Sequence, residues 1–227
     1  MRILLSLLAV LFLATTATAQ VKLGLRASYG FSDIRTDADL DAISDQFSNA
    51  SSLSFGVIVE YPLSAVISLR SGAELNRRGT TAELTQDAQI FGASVPFGAE
   101  AKTRFTYIDV PLMAQFSLPT EGAIQPYLFA GPSFGLATQG NVRTTATALI
   151  SFNLMTSDID LDDINYERFH VAAKAGIGAR LNLDEGFTAF VEGRYEQSLT
   201  EPYDVPLLEA RTGFKGMQFG AGFMFTL

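Results

Sequence analysis

The single histidine of this 227-residue chain, His170, is the one side chain whose ordinary titration range suits general acid–base work near neutral pH. It stands four residues before Lys174, and the chain contains no Gly-x-Ser-x-Gly nucleophile motif. The absence of cysteine excludes thiol nucleophiles, thiolate metal sites and disulfides. We therefore expect no catalytic residue, no metal centre and no cofactor, and we interpret His170 as a partner in a polar network.

A run of four aspartates is the nearest approach to a metal-binding motif. It comprises Asp158, Asp160, Asp162 and Asp163. An EF-hand needs glycine at position six and a bidentate glutamate at position twelve of its loop. Those positions hold Asp163 and Phe169, so the EF-hand pattern fails. Adventitious divalent-cation binding by this acidic loop stays open beside a plain solvated loop.

A second acidic segment surrounds Arg35, with aspartates at 33, 37, 39, 41 and 45. Its alternation with Leu40, Ile43 and Phe47 hints at a short amphipathic helix. A partner-binding surface and a capped loop are both consistent with this pattern. The whole chain has 16 basic and 24 acidic residues, which argues against a nucleic-acid partner.

The first 19 residues have the organisation of a secretory signal peptide. Arg2 precedes the apolar stretch 3–14, and Ala17-Thr18-Ala19 supplies the small residues of a cleavage site. The apolar stretch is shorter than the roughly 18 residues of a spanning helix. We expect residues 1–19 to be removed and residues 20–227 to form one domain.

Beyond residue 20 the dominant period is two, the period of a β-strand. Eight segments show it: 21–31, 53–61, 67–76, 107–118, 127–136, 169–183, 187–198 and 217–227. One face of every segment is free of charge, and the opposite faces taken together carry charges of both signs. We predict that ten of them form a paired structural network: Arg26, Glu60, Arg70, Glu74, Asp109, Lys174, Arg180, Glu192, Arg194 and Glu196. Arg194 is its expected centre, since Glu192 and Glu196 point the same way on one strand.

The connections between these segments alternate in length. Residues 32–52, 78–103, 138–167 and 199–213 read as long polar loops, whereas 62–65, 119–125 and 184–186 read as tight turns. This asymmetry is typical of outer-membrane barrels. We predict an all-β fold, an eight-stranded antiparallel transmembrane β-barrel with long extracellular loops and short periplasmic turns. Because eight strands enclose only enough space for side chains, the lumen should be filled. The same alternation also fits a soluble barrel with its uncharged face inside.

Several motifs carry a resemblance to a known family. Residues 107–113, Tyr-Ile-Asp-Val-Pro-Leu-Met, and 126–132, Pro-Tyr-Leu-Phe-Ala-Gly-Pro, resemble consecutive strands of the PorT-like outer-membrane β-barrel family of Bacteroidetes-type bacteria. Residues 176–179 and 192–195 look like its later Gly-x-Gly and acid-x-Arg-Tyr segments. The chain departs from barrels that end in an aromatic residue by ending in Leu227, although Phe223 and Phe225 keep an alternating aromatic tail.

The resemblance implies an outer-membrane location and little chemistry. It implies contact with outer-membrane lipid, recognition by the barrel-assembly machinery during insertion, and a role that is structural or accessory to secretion machinery. From the sequence we expect a non-enzymatic interaction barrel whose outer loops meet a protein partner. The alternatives are a lipid- or peptide-modifying enzyme at the outer rim, which would have to use His170, and a small pore.

Overall fold

The computed structural model describes residues 20–36, 47–90, 93–148, 150–161, 167–184, 186–200, 203–205 and 210–227. The expected signal peptide, residues 1–19, lies outside this part of the chain. The described residues form ten strands: β1 (Lys22–Thr36), β2 (Phe47–Pro62), β3 (Ile67–Ile90), β4 (Ala93–Ser117), β5 (Ile124–Ala148), β6 (Ile150–Ile159), β7 (Phe169–Asp184), β8 (Phe187–Ser198), β9 (Tyr203–Val205) and β10 (Ala210–Thr226). Among these residues, none belongs to a helix long and apolar enough to cross a membrane.

Eight of the strands close into a barrel. Each pairs antiparallel with its neighbours in the order β1, β2, β3, β4, β5, β7, β8, β10, and β10 pairs back onto β1 from Lys22↔Thr226 to Thr36↔Thr212. Closure leaves these strands without a free edge within the barrel. The predicted eight-stranded antiparallel barrel is confirmed.

The two ends of the barrel differ. Turns 63–66 and 118–123 and residue Gly186 lie at one end together with Lys22 and Thr226, and we call this the turn end. The opposite end is the hairpin end, because β3 and β4 continue there as a hairpin paired up to Ile90↔Ala93. There β5 also continues to Ala148, and β6 returns along it.

At the hairpin end, the structure has strands where the sequence predicted long loops. Segments 78–103 and 138–167 are not simple loops: most of each continues a strand, with only 91–92, 149 and 162–166 outside the described residues. Threonines at 80, 81, 103, 144, 145 and 147 favour extended backbone because their β-branched side chains fit a pleated surface. Apolar residues alternate here only over short stretches, such as 95, 97 and 99 or 150, 152 and 154, and polar residues dominate the rest. Segments 32–52 and 199–213 are likewise shortened by the ends of β1, β2 and β10, and the helix expected near 37–46 lies outside the described residues.

An apolar belt surrounds the barrel. The outward side chains of β1 from Leu23 to Phe31 and of β4 from Ile108 to Leu118 are mostly exposed apolar groups, and the other barrel strands repeat the pattern. Each strand contributes about the 9–11 residues that a tilted strand needs to cross a bilayer. The uncharged face is therefore outside, in contact with lipid, and the alternative of a soluble barrel with that face inside is wrong.

The seam between β1 and β10 depends on a close approach at Gly30. A Cβ there would lie 1.9 Å from the Met217 carbonyl oxygen and 2.6 Å from the Cα of Gln218. Backbone atoms cannot move aside as the tip of a flexible side chain can. Any larger residue at position 30 must therefore push β10 away from β1.

We predict that Gly30→Val lowers the free energy of unfolding by about 1–3 kcal/mol, the usual effect of overpacking. Gly122→Val is the matched control, because a Cβ in that turn would meet no described atom within 4 Å. The chain has no tryptophan, so urea unfolding is followed by far-UV circular dichroism in detergent micelles. Equal stability of the two variants would contradict the close approach at the seam.

Candidate functional site

The inward face of the barrel carries a dense set of buried charged side chains. All ten residues predicted for the lumen network are buried there, together with Arg78. Among the described residues, this interior contains six buried cationic side chains and five buried carboxylates: Arg26, Arg70, Arg78, Lys174, Arg180, Arg194, Glu60, Glu74, Asp109, Glu192 and Glu196. Because an unpaired buried charge costs several kcal/mol, the arrangement of these groups constrains the fold.

The pair nearest the turn end joins β7 to β2. Arg180 Nη1 and Nη2 donate to the two carboxylate oxygens of Glu60 at 3.0 and 3.1 Å. Gln115 donates to Glu60 Oε2 at 3.1 Å, and the Ser68 hydroxyl donates to Oε1 at 3.2 Å. The Arg180 guanidinium also lies 5.1 Å from the ring centre of Tyr127. Glu60 is thus fully engaged by groups from β3, β4 and β7.

Glu192 of β8 collects the next set of donors. It accepts hydrogen bonds from Arg26 Nε at 2.5 Å, Arg70 Nη1 at 2.7 Å and the Tyr127 hydroxyl at 2.8 Å. The Arg70 guanidinium lies 5.3 Å from the ring centres of both Phe129 and Phe190. These contacts tie β1, β3 and β5 to β8 across the lumen.

Arg194, the expected centre of the network, pairs across the lumen and not with the glutamates two residues away on its own strand. Its Nη1 donates to both oxygens of Glu74 on β3, at 2.9 and 2.7 Å, and its Nη2 donates to Gln218 Oε1 at 2.8 Å. Meanwhile Glu192 and Glu196 are hydrogen-bonded to other cations. In a narrow barrel a long guanidinium reaches the opposite wall, and a partner two residues away is not the nearest one.

A four-membered cluster lies closer to the hairpin end. Arg78 donates from Nη2 to Asp109 Oδ2 at 2.5 Å and from Nε to Glu196 Oε1 at 2.5 Å. Lys174 Nζ lies 3.0 Å from Asp109 Oδ2 and 3.4 Å from Glu196 Oε2. Arg78 lies in the segment predicted as a loop and was therefore not predicted for the network, although it continues the inward series Arg70, Glu74 and Asn76 at even spacing.

Two apolar clusters accompany the charges. Near the turn end they are Ile58, Met113, Tyr127, Phe129, Phe190 and Met224. Near the hairpin end they are Phe105, Tyr107, Ala137, Leu161 and Phe214. The cavities beside Arg70 and Arg78 measure about 10 Å³ each, close to the least that one water requires. Around Arg70 and Arg78, side chains therefore fill the lumen.

His170 lies in the lumen near the hairpin end and is fully buried. Its Nε2 is hydrogen-bonded to Ser198 Oγ at 2.7 Å, and Ser198 Oγ also accepts the Phe214 backbone N–H at 2.8 Å. The imidazole packs 5.3 Å from the ring of Tyr107. The histidine and the serine have the atoms of a nucleophile–base pair, but both side chains are enclosed.

The acidic run at the end of β6 does not form a metal centre in the part that the structure describes. Asp158 and Asp160 are exposed, and Asp162 and Asp163 lie outside the described residues. Among the described residues, no three His, Cys, Asp or Glu side chains converge on a position that could hold a metal ion. Cation binding by this run stays a prediction.

We predict that Glu60→Met and Arg180→Met each lower the free energy of unfolding by about 3–5 kcal/mol, because each leaves its buried partner uncompensated. The double variant should be more stable than either single variant, since the apolar pair leaves no buried charge. Glu121→Met in the exposed turn serves as the control, with a change of about 0.5 kcal/mol or less. Additive losses in the urea-unfolding cycle would show that water reaches this pair.

The sequence profile of the family described as "Outer membrane protein beta-barrel domain" matches residues 15–203. No curated protein matches the chain.

Solved structures of outer-membrane barrels show low similarity to the chain. Neisserial surface protein A, NspA, is 12% identical with a TM-score of 0.42, over 90% of this chain and 97% of that one. OprG of Pseudomonas aeruginosa is 13% identical with a TM-score of 0.45, over 92% and 96%. The outer membrane protease OmpT of Escherichia coli is 8% identical with a TM-score of 0.37, over 94% and 99%.

The family profile covers most of the sequence, and the closed barrel presents an apolar belt to lipid. The chain therefore belongs to the outer membrane protein β-barrel domain family, and its location is the outer membrane.

Proposed function

We propose that this barrel is a non-enzymatic interaction protein. Its sealed barrel is the membrane anchor, and its hairpin end binds a protein partner in the envelope or secretion machinery. The observation that carries the proposal is the paired and filled lumen, which leaves the two ends of the barrel as the working surfaces.

A small pore is the first alternative, and the interior argues against it. Ion pairs bridge the lumen at several levels, from Glu60 near the turn end to Asp109 near the hairpin end. A conducting path would have to displace these pairs and the rings of Phe105, Tyr107 and Phe214 as well. Eight-stranded barrels have no spare interior for water once side chains fill it.

An enzyme at the rim is the second alternative. It would have to use His170, and that side chain is enclosed with Ser198 beneath the aromatic cluster of the hairpin end. Substrate cannot reach the serine oxygen without disrupting this packing. The Ser198 hydroxyl is also engaged by the Phe214 amide, which favours a structural role in joining β7, β8 and β10.

The hairpin end offers the larger working surface. Residues 80–90 of β3, 93–103 of β4, 140–148 of β5 and 150–159 of β6 continue beyond the apolar belt, and we call them the projecting sheet. Arg143 and Met155 are exposed on it, and its sequence is rich in polar residues, which suits water rather than lipid. We assign this sheet to the extracellular side and the turn end to the periplasm, in keeping with the short turns there.

The motifs at 107–113 and 126–132 support a finer assignment to the PorT-like group of Bacteroidetes-type bacteria. Membership of that group would imply a role accessory to secretion machinery. Outward Phe223 and Phe225 on the last barrel strand provide the alternating aromatic signal for the barrel-assembly machinery.

We predict that a fluorophosphonate probe does not label the folded protein, because Ser198 is closed to it. A known serine hydrolase in the same detergent provides the positive control. Labelling of Ser198 that disappears in His170→Ala would instead establish a working nucleophile–base pair and contradict the non-enzymatic assignment.

We predict that a photo-crosslinking amino acid placed at Arg143 on the projecting sheet yields a discrete protein adduct in intact cells of the native host. The matched position is Glu121, which is exposed in a turn at the opposite end. Replacing residues 81–102 and 141–158 by Asn-Gly turns also removes position 143, so partner binding by this variant is measured by co-purification from the native envelope. Binding should be lost while the barrel stays folded. Adducts from position 121 alone, or none from either end, would contradict partner binding at the hairpin end.

A further inference from the structure

Basic side chains stand on the outward face of β3, β4 and β5, just beyond the apolar belt. The last apolar row of this face consists of Leu75, Ile108 and Leu136, which pair across the three strands and are about half exposed. Past that row come the four residues that we call the basic rim: Arg77, Lys102, Arg104 and Arg143.

Strand alternation turns the basic rim away from the lumen. Arg77 is exposed between two residues that are buried in the lumen. On β4, Phe105 is buried, so its neighbour Arg104 points outwards, as does Lys102 two residues away. Arg143 lies directly opposite Lys102 in the ladder of β4 and β5, and directly opposite residues share one face of a sheet. The four side chains therefore face the same way as the apolar belt.

The charges of the basic rim are not compensated as those of the lumen are. Lys102 forms an ion pair with Glu100. Among the described residues, no carboxylate pairs with Arg77, Arg104 or Arg143. Arg143 also stands directly opposite Lys102, and like charges directly opposite each other are destabilising. A bound anion would compensate the arginines and separate this like-charged pair.

Arg77 and Arg104 converge on one part of this face. Arg104 lies opposite Gly79, where a Cβ would lie 3.2 Å from Arg104 Cγ. Because Gly79 has no side chain, Arg104 crosses β3, and its Nη2 donates to Ser51 Oγ on β2 at 3.3 Å. Gly79 is the next outward residue after Arg77, so the two arginines occupy neighbouring positions over β3. Two guanidinium groups so placed suit one phosphate group, which each can bind through two N–H groups.

We infer that the basic rim binds the phosphate groups of a lipid in the extracellular leaflet, with the acyl chains of that lipid lying on the belt below. Arg77 lies about 7 Å along β3 beyond Leu75, at the edge of the hydrocarbon. Arg143 lies about 20 Å along β5 beyond Leu136, so the rim has room for a headgroup with more than one phosphate. The choice of leaflet rests on the extracellular position proposed for the hairpin end, whereas the phosphate chemistry does not.

The position of the basic rim selects a lipid over a soluble anion or an acidic protein segment. Basic residues beside a membrane surface attract anionic headgroups. The exposed apolar row directly below the rim contacts hydrocarbon, so an occupant that touches both must be amphipathic. The turn end has no counterpart among its described turns, since 63–66 and 118–123 contain Glu121 and no cation. The barrel thus presents different charges to the two leaflets.

The test measures lipid binding by native mass spectrometry of the full-length protein released from detergent micelles. The probes are diphosphoryl and monophosphoryl lipid A, which differ by one phosphate, and the wild type should bind the diphosphoryl form about 10-fold more tightly. Arg77→Gln combined with Arg104→Gln should weaken binding of both probes about 10-fold, and Arg143→Gln should remove most of the preference. Lys215→Gln is the matched control, because Lys215 is exposed at the same end but stands directly opposite Asp33.

The charge-conserving pair Arg77→Lys and Arg104→Lys should keep most of the binding, and far-UV circular dichroism should show the same barrel in every variant. Equal losses in the lysine and glutamine pairs would mean that the arginines are structural, and the lipid site would be wrong. It is also overturned if the wild type binds the two probes equally, or if the rim variants bind like Lys215→Gln.

Two competitors distinguish the sources of negative charge. Pyrophosphate that displaces diphosphoryl lipid A at equal concentration would make the rim a site for soluble anions and overturn the lipid. An octaglutamate peptide that competes better than the lipid would assign the rim to an acidic protein segment and overturn it as well. Failure of both competitors at equal concentration is the result that a lipid site predicts. Partner capture in cells is measured separately, so it stands or falls independently of these outcomes.

Discussion

Pairing of charges inside a narrow barrel is the constraint on which the rest of this structure depends. Six cationic side chains and five carboxylates share a lumen that eight strands make just wide enough for side chains. Burial of so many charges is tolerable only when each has a partner, and the partners stand on different strands. Glu192 on β8 holds arginines from β1 and β3, and Arg194 on β8 holds a glutamate from β3. A one-residue slip of any of these strands would turn its charges towards lipid, so the pairs also fix the register.

The same constraint determines where the protein can act. Because ion pairs and aromatic rings occupy the lumen, the barrel acts as a membrane anchor. Catalysis or partner binding then has to take place at the ends of the barrel. At the hairpin end, β3 to β6 continue past the apolar belt, where the demand for an uncharged outer face ceases. The projecting sheet is therefore free to carry polar side chains. In the described chain, the structure thus separates an interior of paired charges and packed rings from a polar surface beyond the apolar belt.

The sequence was informative wherever lipid imposed an alternation. The period of two located all eight barrel strands and the inward side of each, because one face had to be apolar. The pattern failed beyond the apolar belt, where no face has to be apolar. Residues 78–103 were therefore predicted as a loop, and Arg78 was not predicted to lie in the lumen. Cross-lumen partners were equally hidden, as the pairing of Arg194 with Glu74 shows, because sequence spacing describes neighbours along a strand and not across a barrel. The acidic run 158–163 and the segment 37–46 carry no period strong enough to specify a structure.

The reactivity of a single cysteine in the lumen tests most directly whether the interior is sealed. Ser54 is buried, and its hydroxyl is hydrogen-bonded to Ser28 at 2.6 Å, so Ser54→Cys places a thiol of similar size among the charges. Gln139→Cys, exposed near the hairpin end, is its control in this chain without native cysteine. If the lumen is sealed, a small cationic methanethiosulfonate should modify position 54 of the folded barrel at least about 100-fold more slowly than position 139. In the urea-unfolded protein the two positions should react equally fast. Comparable rates in the folded barrel would mean that water and solutes pass among these ion pairs, and the sealed anchor would be wrong.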